Sequence, residues 1–112
     1  MQTAAPFQKN RRINPYLVNE IMGAKPEQLL IKIYDFAILH CQKHNMIKTN
    51  ESLQVLVNSL NFNDESAREI STGLLKLYQF CQEQMRKKNY DEVYKILTDL
   101  RDTWQAALQS RG

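Results

Sequence analysis

The chain has 112 residues, of which 43% are apolar and 24% charged, with three Gly and three Pro. That length predicts one domain that buries ~two-thirds of its unfolded surface, and so few turn residues argue against a β-rich fold. The net charge of +3 lies in residues 1–25, where Lys9, Arg11, Arg12 and Lys25 face Glu20 alone; the remaining residues are charge-neutral, which counts against a nucleic-acid face.

No segment reaches the ~20 apolar residues of a membrane span, and residues 1–25 lack the apolar run of a secretory signal. A cytoplasmic protein is expected. Cys41 and Cys81 both fall within apolar helical patterns and are expected as buried free thiols.

Residues 1–12 have no periodicity and are expected to be disordered, with a single helical domain over 13–110. In "INPYLVNEIMG", Asn14 can cap and Pro15 suits a first helical position. Ile13, Tyr16, Leu17 and Ile21 give a stripe too short to be stable alone, so the piece either docks or frays.

A first long helix is predicted from Pro26. Leu29, Leu30, Ile33, Tyr34, Ala37, Ile38 and Cys41 follow three- and four-residue spacing. Ile31, Phe36 and Leu39 fall off that stripe, so this helix is central or has a second partner. The second helix has Thr49 as its expected cap and a stripe of Leu53, Leu56, Val57 and Leu60. The third opens on a capping-box spacing, Ser66 to Glu69, followed by Ile70, Leu74, Leu77, Tyr78, Cys81 and Met85. Gly73 inside it costs ~1 kcal/mol relative to Ala, for which a close helix contact or room for a ligand would account. Asn89 and Glu92 give another capping box before a fourth stripe of Val93, Ile96, Leu97, Leu100, Trp104, Ala107 and Leu108. The expected fold is all-α, an antiparallel four-helix bundle with an additional short N-terminal helix or lid.

Chemistry is sparse. His40 and His44 stand four apart, a zinc-compatible spacing, but no further His follows and the glutamate of a zinc-protease helix is missing. There is no Gly-rich phosphate loop and no recognisable nucleophile set, so no enzyme, cofactor or metal is expected. The aromatics carry more information. Tyr34, Tyr78 and Trp104 lie on core stripes, yet Tyr and Trp favour rims where partner helices dock.

"PEQLLIKIYDFAI" from Pro26, "LLKLYQF" from Leu74, "NYDEVYKILTDLRDTWQAAL" from Asn89 and "NPYL" from Asn14 together resemble the FliS family, the export chaperones of bacterial flagellin. The likeness spans about residues 13–108 in register. Lys25 stands where the family has Ser or Thr, Phe36 where it has Gly, and "NDES" where paired glycines are common. The resemblance implies a cytoplasmic chaperone that binds the disordered C-terminal segment of flagellin, prevents its premature polymerisation and delivers it to the type III export gate. The aromatic and off-stripe residues Phe36, Leu39, Tyr78, Tyr90, Tyr94 and Trp104 are expected at the client surface, with Tyr78 and Trp104 mainly holding the bundle, and the resemblance implies a lid of Ile13, Tyr16 and Leu17. A monomer in the client complex is expected, with neither nucleic acid nor membrane insertion. The alternatives are an adaptor for another amphipathic helix, or a small nucleic-acid-binding bundle using the basic N-terminus.

Overall fold

The structure, a computed structural model, describes residues 26–110. The readings for residues 1–12 and for the helix expected from Asn14, including Ile13, Tyr16 and Leu17, lie outside these residues. Four α-helices make up the described chain: α1 (Pro26–Gln42), α2 (Met46–Asn58), α3 (Glu65–Arg86) and α4 (Tyr90–Ser110). Each packs on its sequence neighbour, and α4 closes the ring against α1; the α3–α4 interface is the least extensive of the four. Tyr34, Asp35 and Cys41 of α1 bond to Trp104, Arg101 and Tyr90 of α4 respectively, so the residue order runs oppositely in the two helices. The all-α antiparallel bundle is as expected.

The start and end points of the helices have local causes. The expected cap Thr49 is instead buried inside α2, its hydroxyl donating to the Asn45 carbonyl at 2.8 Å. Asn45 is the cap, its side-chain oxygen accepting the Lys48 N–H at 3.0 Å. For α3, Asp64 takes the place expected for Ser66: its carboxylate accepts both the Ser66 N–H at 3.0 Å and the Ser66 hydroxyl at 2.9 Å. An acceptor four residues earlier on α2 and two residues earlier on α3 thus outcompetes the predicted cap. Asn89 does precede α4; its carbonyl accepts the Val93 N–H at 3.3 Å, while its side-chain amide donates back to Gln84.

Two helices end in the same way. The Asn45 N–H returns to the His40 carbonyl and the His44 N–H to the Cys41 carbonyl; the Asn89 N–H returns to Gln84 and the Lys88 N–H to Met85. These paired bonds are Schellman closures, which need a left-handed residue at the penultimate position. His44 (φ 57°) and Lys88 (φ 64°) fill it, where Gly would sit without strain.

The core is built from Ile33, Tyr34, Ala37 and Cys41 of α1, Leu53 and Leu56 of α2, Tyr78, Cys81 and Met85 of α3, and Val93 and Leu97 of α4. Both cysteines are free and buried, as expected. Burial pushes the Cys41 thiol up to about 11 and the Cys81 thiol up to about 12. Neither is a thiolate at neutral pH, and so neither is a ready nucleophile. The predicted seam of α3 needs one correction. Ile70 is 65% exposed and does not enter the core. Its place in the row is taken by Ser71, which is buried and donates to the Asn61 carbonyl at 2.7 Å, tying the α2–α3 loop to the helix.

Candidate partner-binding surface

Three of the aromatic residues form one hydrogen-bonded chain across the bundle. Tyr34 and Tyr78 share a short bond between their hydroxyls, and the Trp104 Nε1–H donates to the Tyr34 hydroxyl at 3.1 Å. Their helices are thereby joined through polar atoms that burial would otherwise leave unpaired. Burial also raises both tyrosine pKa values above the ordinary range. Tyr78 is 1% exposed, so among the residues expected at the client surface it is closed off. Its ring fills the space between α1 and α3, which the helix pattern allowed and which its polar tip did not prevent, because Tyr34 supplies a buried partner. Trp104 is half-buried and held by the same network.

The other four expected residues divide between two flanks. Phe36 is half-buried with its ring 4.4 Å from that of His40, and Leu39 is 45% exposed on α1. Tyr90 stacks on His44 with ring centroids 4.0 Å apart, and its carbonyl accepts the Cys41 thiol. Tyr94 is 39% exposed beside this stack, at a shallow recess of about 370 Å3 shared with Gln42 and Asp91. The structure thus brings Tyr90 and Tyr94 together, joins Tyr78 to Trp104, and leaves Phe36 and Leu39 apart from both. The off-stripe residues of α1 are explained in part by its two neighbours: it packs on both α2 and α4.

The zinc-compatible histidine pair does not share a helix face. α1 ends at Gln42, so His44 lies in the turn, while His40 is buried behind Phe36. Burial, reinforced by Lys48 and Lys43, holds the His40 imidazole below its ordinary pKa. No group of three or more His, Cys, Asp or Glu that could hold a metal occurs among the described residues. No described helix is long and apolar enough to cross a membrane.

Two large exposed apolar side chains of α3 were assigned elsewhere by the sequence pattern. Ile70 had been given to the core seam, and Phe80 to none; they are 65% and 43% exposed. With Gly73 and half-buried Leu77 they follow a 3-4-3 spacing along one flank of α3. Gln82 lies on the opposite flank, where it exchanges hydrogen bonds of 3.2 Å with Asn50 of α2. The Ile70–Phe80 row is therefore turned away from α2, toward the side of α4, whose interface with α3 is the least extensive of the four. Its signal in the sequence was a second three-and-four spacing beside the core row.

Comparison with known proteins agrees with this architecture. The family model described as "Flagellar protein FliS" matches residues 8–111. The flagellar secretion chaperone FliS of Bacillus subtilis (strain 168) is 26% identical over 117 aligned positions, covering 87% of this chain and 88% of that protein. No solved structure matches significantly. With a family model spanning nearly all of an all-helical chain, the protein belongs to the FliS family of flagellar proteins.

Proposed function

We propose that the protein is a cytoplasmic export chaperone that binds the disordered C-terminal segment of flagellin. It keeps that segment from polymerising prematurely and delivers the subunit to the flagellar type III export apparatus. The observation that carries this reading is surplus apolar surface on a bundle whose core is already filled. Ile70, Phe80, Leu39 and Tyr94 are each more than a third exposed, while eleven apolar residues among those described close the interior. An unfolded amphipathic segment loses ordering entropy when it folds on a partner, so it needs an extended apolar track to bind well. Helix-in-groove recognition supplies one.

Membership of a flagellar family and likeness to a named secretion chaperone direct this surface toward a secreted flagellar subunit. Residues Ile13, Tyr16 and Leu17 then act as a lid that competes with the client, by a population shift between docked and displaced states. The client complex contains one copy of the chain.

The test is calorimetry of the full chain with a flagellin C-terminal fragment. Equimolar binding with a large negative heat-capacity change is expected, because the segment folds as it binds. No heat and no retention of the fragment would remove flagellin as the client; binding of a different amphipathic helix in its place would favour the adaptor reading.

A further inference from the structure

We infer that the outer row of α3, centred on Gly73, is the closest-approach line for a basic, amphipathic helix of the client. This rests on the export-chaperone reading and adds where the client helix lies, which way its charge faces, and which position admits its largest side chain.

Gly73 is the key observation. Glycine weakens a helix interior, and tight packing within the fold is the usual reason to keep it there. That reason does not hold at this position. A Cβ built on Gly73 would meet nothing within 4 Å. The residue is exposed and sits midway in the row of Ile70, Leu77 and Phe80. The missing side chain thus leaves a notch in an apolar ridge that the bundle itself does not fill. Ile70 to Phe80 spans ~15 Å of helix, or nearly three turns. A spacing of three and four along such a length matches a second helix lying alongside, with one bulky residue of that helix seated over the notch.

The charges beside this row define the partner further. Glu69 and Glu83 are exposed on α3 next to the row. On α4, Glu92 and Asp99 share a flank with half-buried Ile96, and Glu92 is near enough to Cys81 of α3 to help raise its thiol pKa. Lys76 on α3 and Lys95 on α4 are the bases interleaved among them, and Arg86 offsets Glu83 through a 2.9 Å ion pair. The seam is thus apolar along its floor, and the acids of its rims outnumber the bases by one, Glu92 and Asp99 of α4 facing Lys95 alone. Lys or Arg on both edges of a docked helix complement it, and an acidic helix is repelled.

The test uses the full chain and a flagellin C-terminal fragment, with Gly73→Ala, Gly73→Leu and the double charge reversal Glu69→Lys/Asp99→Lys. Because the space above Gly73 is open, both Gly73 variants should fold, with melting temperatures at or above that of the parent. Gly73→Leu should raise the Kd for the fragment at least tenfold, and Gly73→Ala far less. The charge reversal should also weaken binding, and added salt should weaken binding to the parent more than to the reversed variant. If the parent binds but folded Gly73→Leu binds equally well, the placement on this row is wrong while the chaperone reading stands. If the charge reversal strengthens binding, the basic-helix assignment is wrong. If the parent does not bind the fragment, the flagellin reading fails and this inference fails with it.

Discussion

Tyr34 is the residue on which the interior polar bonds converge, accepting from Trp104 and sharing a bond with Tyr78. Tyr34→Phe should therefore cost ~1–3 kcal/mol in urea unfolding, because it leaves two buried polar groups without their partner. Tyr78→Phe removes a terminal member and should cost less. Periodicity placed all three aromatics on inward stripes, and that part was legible. Their mutual bonding was not, because the partners lie 44 and 70 positions apart and spacing along one helix says nothing about which stripes meet. His40 supplies a pH dependence. Its folded pKa is lowered by burial, then by Lys48 and Lys43, so the neutral form is favoured in the bundle. Its contribution is present above ~6.5, the value in an unfolded chain, and is lost as pH falls through the lower folded value. Unfolding titrations should show stability falling from near-neutral pH downward, and His40→Phe should flatten that part of the slope.

At the scale of the helix, the two Schellman closures hold the bundle's turns with non-glycine residues in left-handed conformation. Lys88→Gly should raise stability by ~1 kcal/mol, visible as a higher thermal midpoint, since it relieves that strain without removing an ion pair found among the described residues. His44→Gly should gain less, because it also removes the ring stacked on Tyr90. The four long helices were legible in the sequence because their three-and-four spacings are sustained over many turns. Their starting residues were less so. Thr49 and Ser66 satisfy the local rule for a cap, but Asn45 and Asp64 offer an acceptor earlier in the chain, and the helix begins at the first one available. The two apolar rows of α3 share the same spacing, so spacing alone does not distinguish Ile70 from a core position; its exposure does.

At the scale of the molecule, the filled core and the exposed ridge on α3 are distinct sets of residues, and substitutions should separate stability from client capture. Ile70→Asp should leave unfolding within ~0.5 kcal/mol of the parent, since the side chain is exposed, while weakening capture of the client. The likeness to a flagellar chaperone was legible in four motifs in register, whereas the surface that carries the proposed activity was not. Tyr78, expected to be mainly structural, closes the interior, while an isoleucine, a glycine and a phenylalanine that aromatic character alone does not single out form the open row. The most direct measurement is backbone NMR of the full chain titrated with a flagellin C-terminal fragment. Shift changes and slowed amide exchange should concentrate along Ile70–Phe80 and the neighbouring flank of α4. Perturbations confined to the outer faces of α1 and α2, with this row unchanged, would contradict the account.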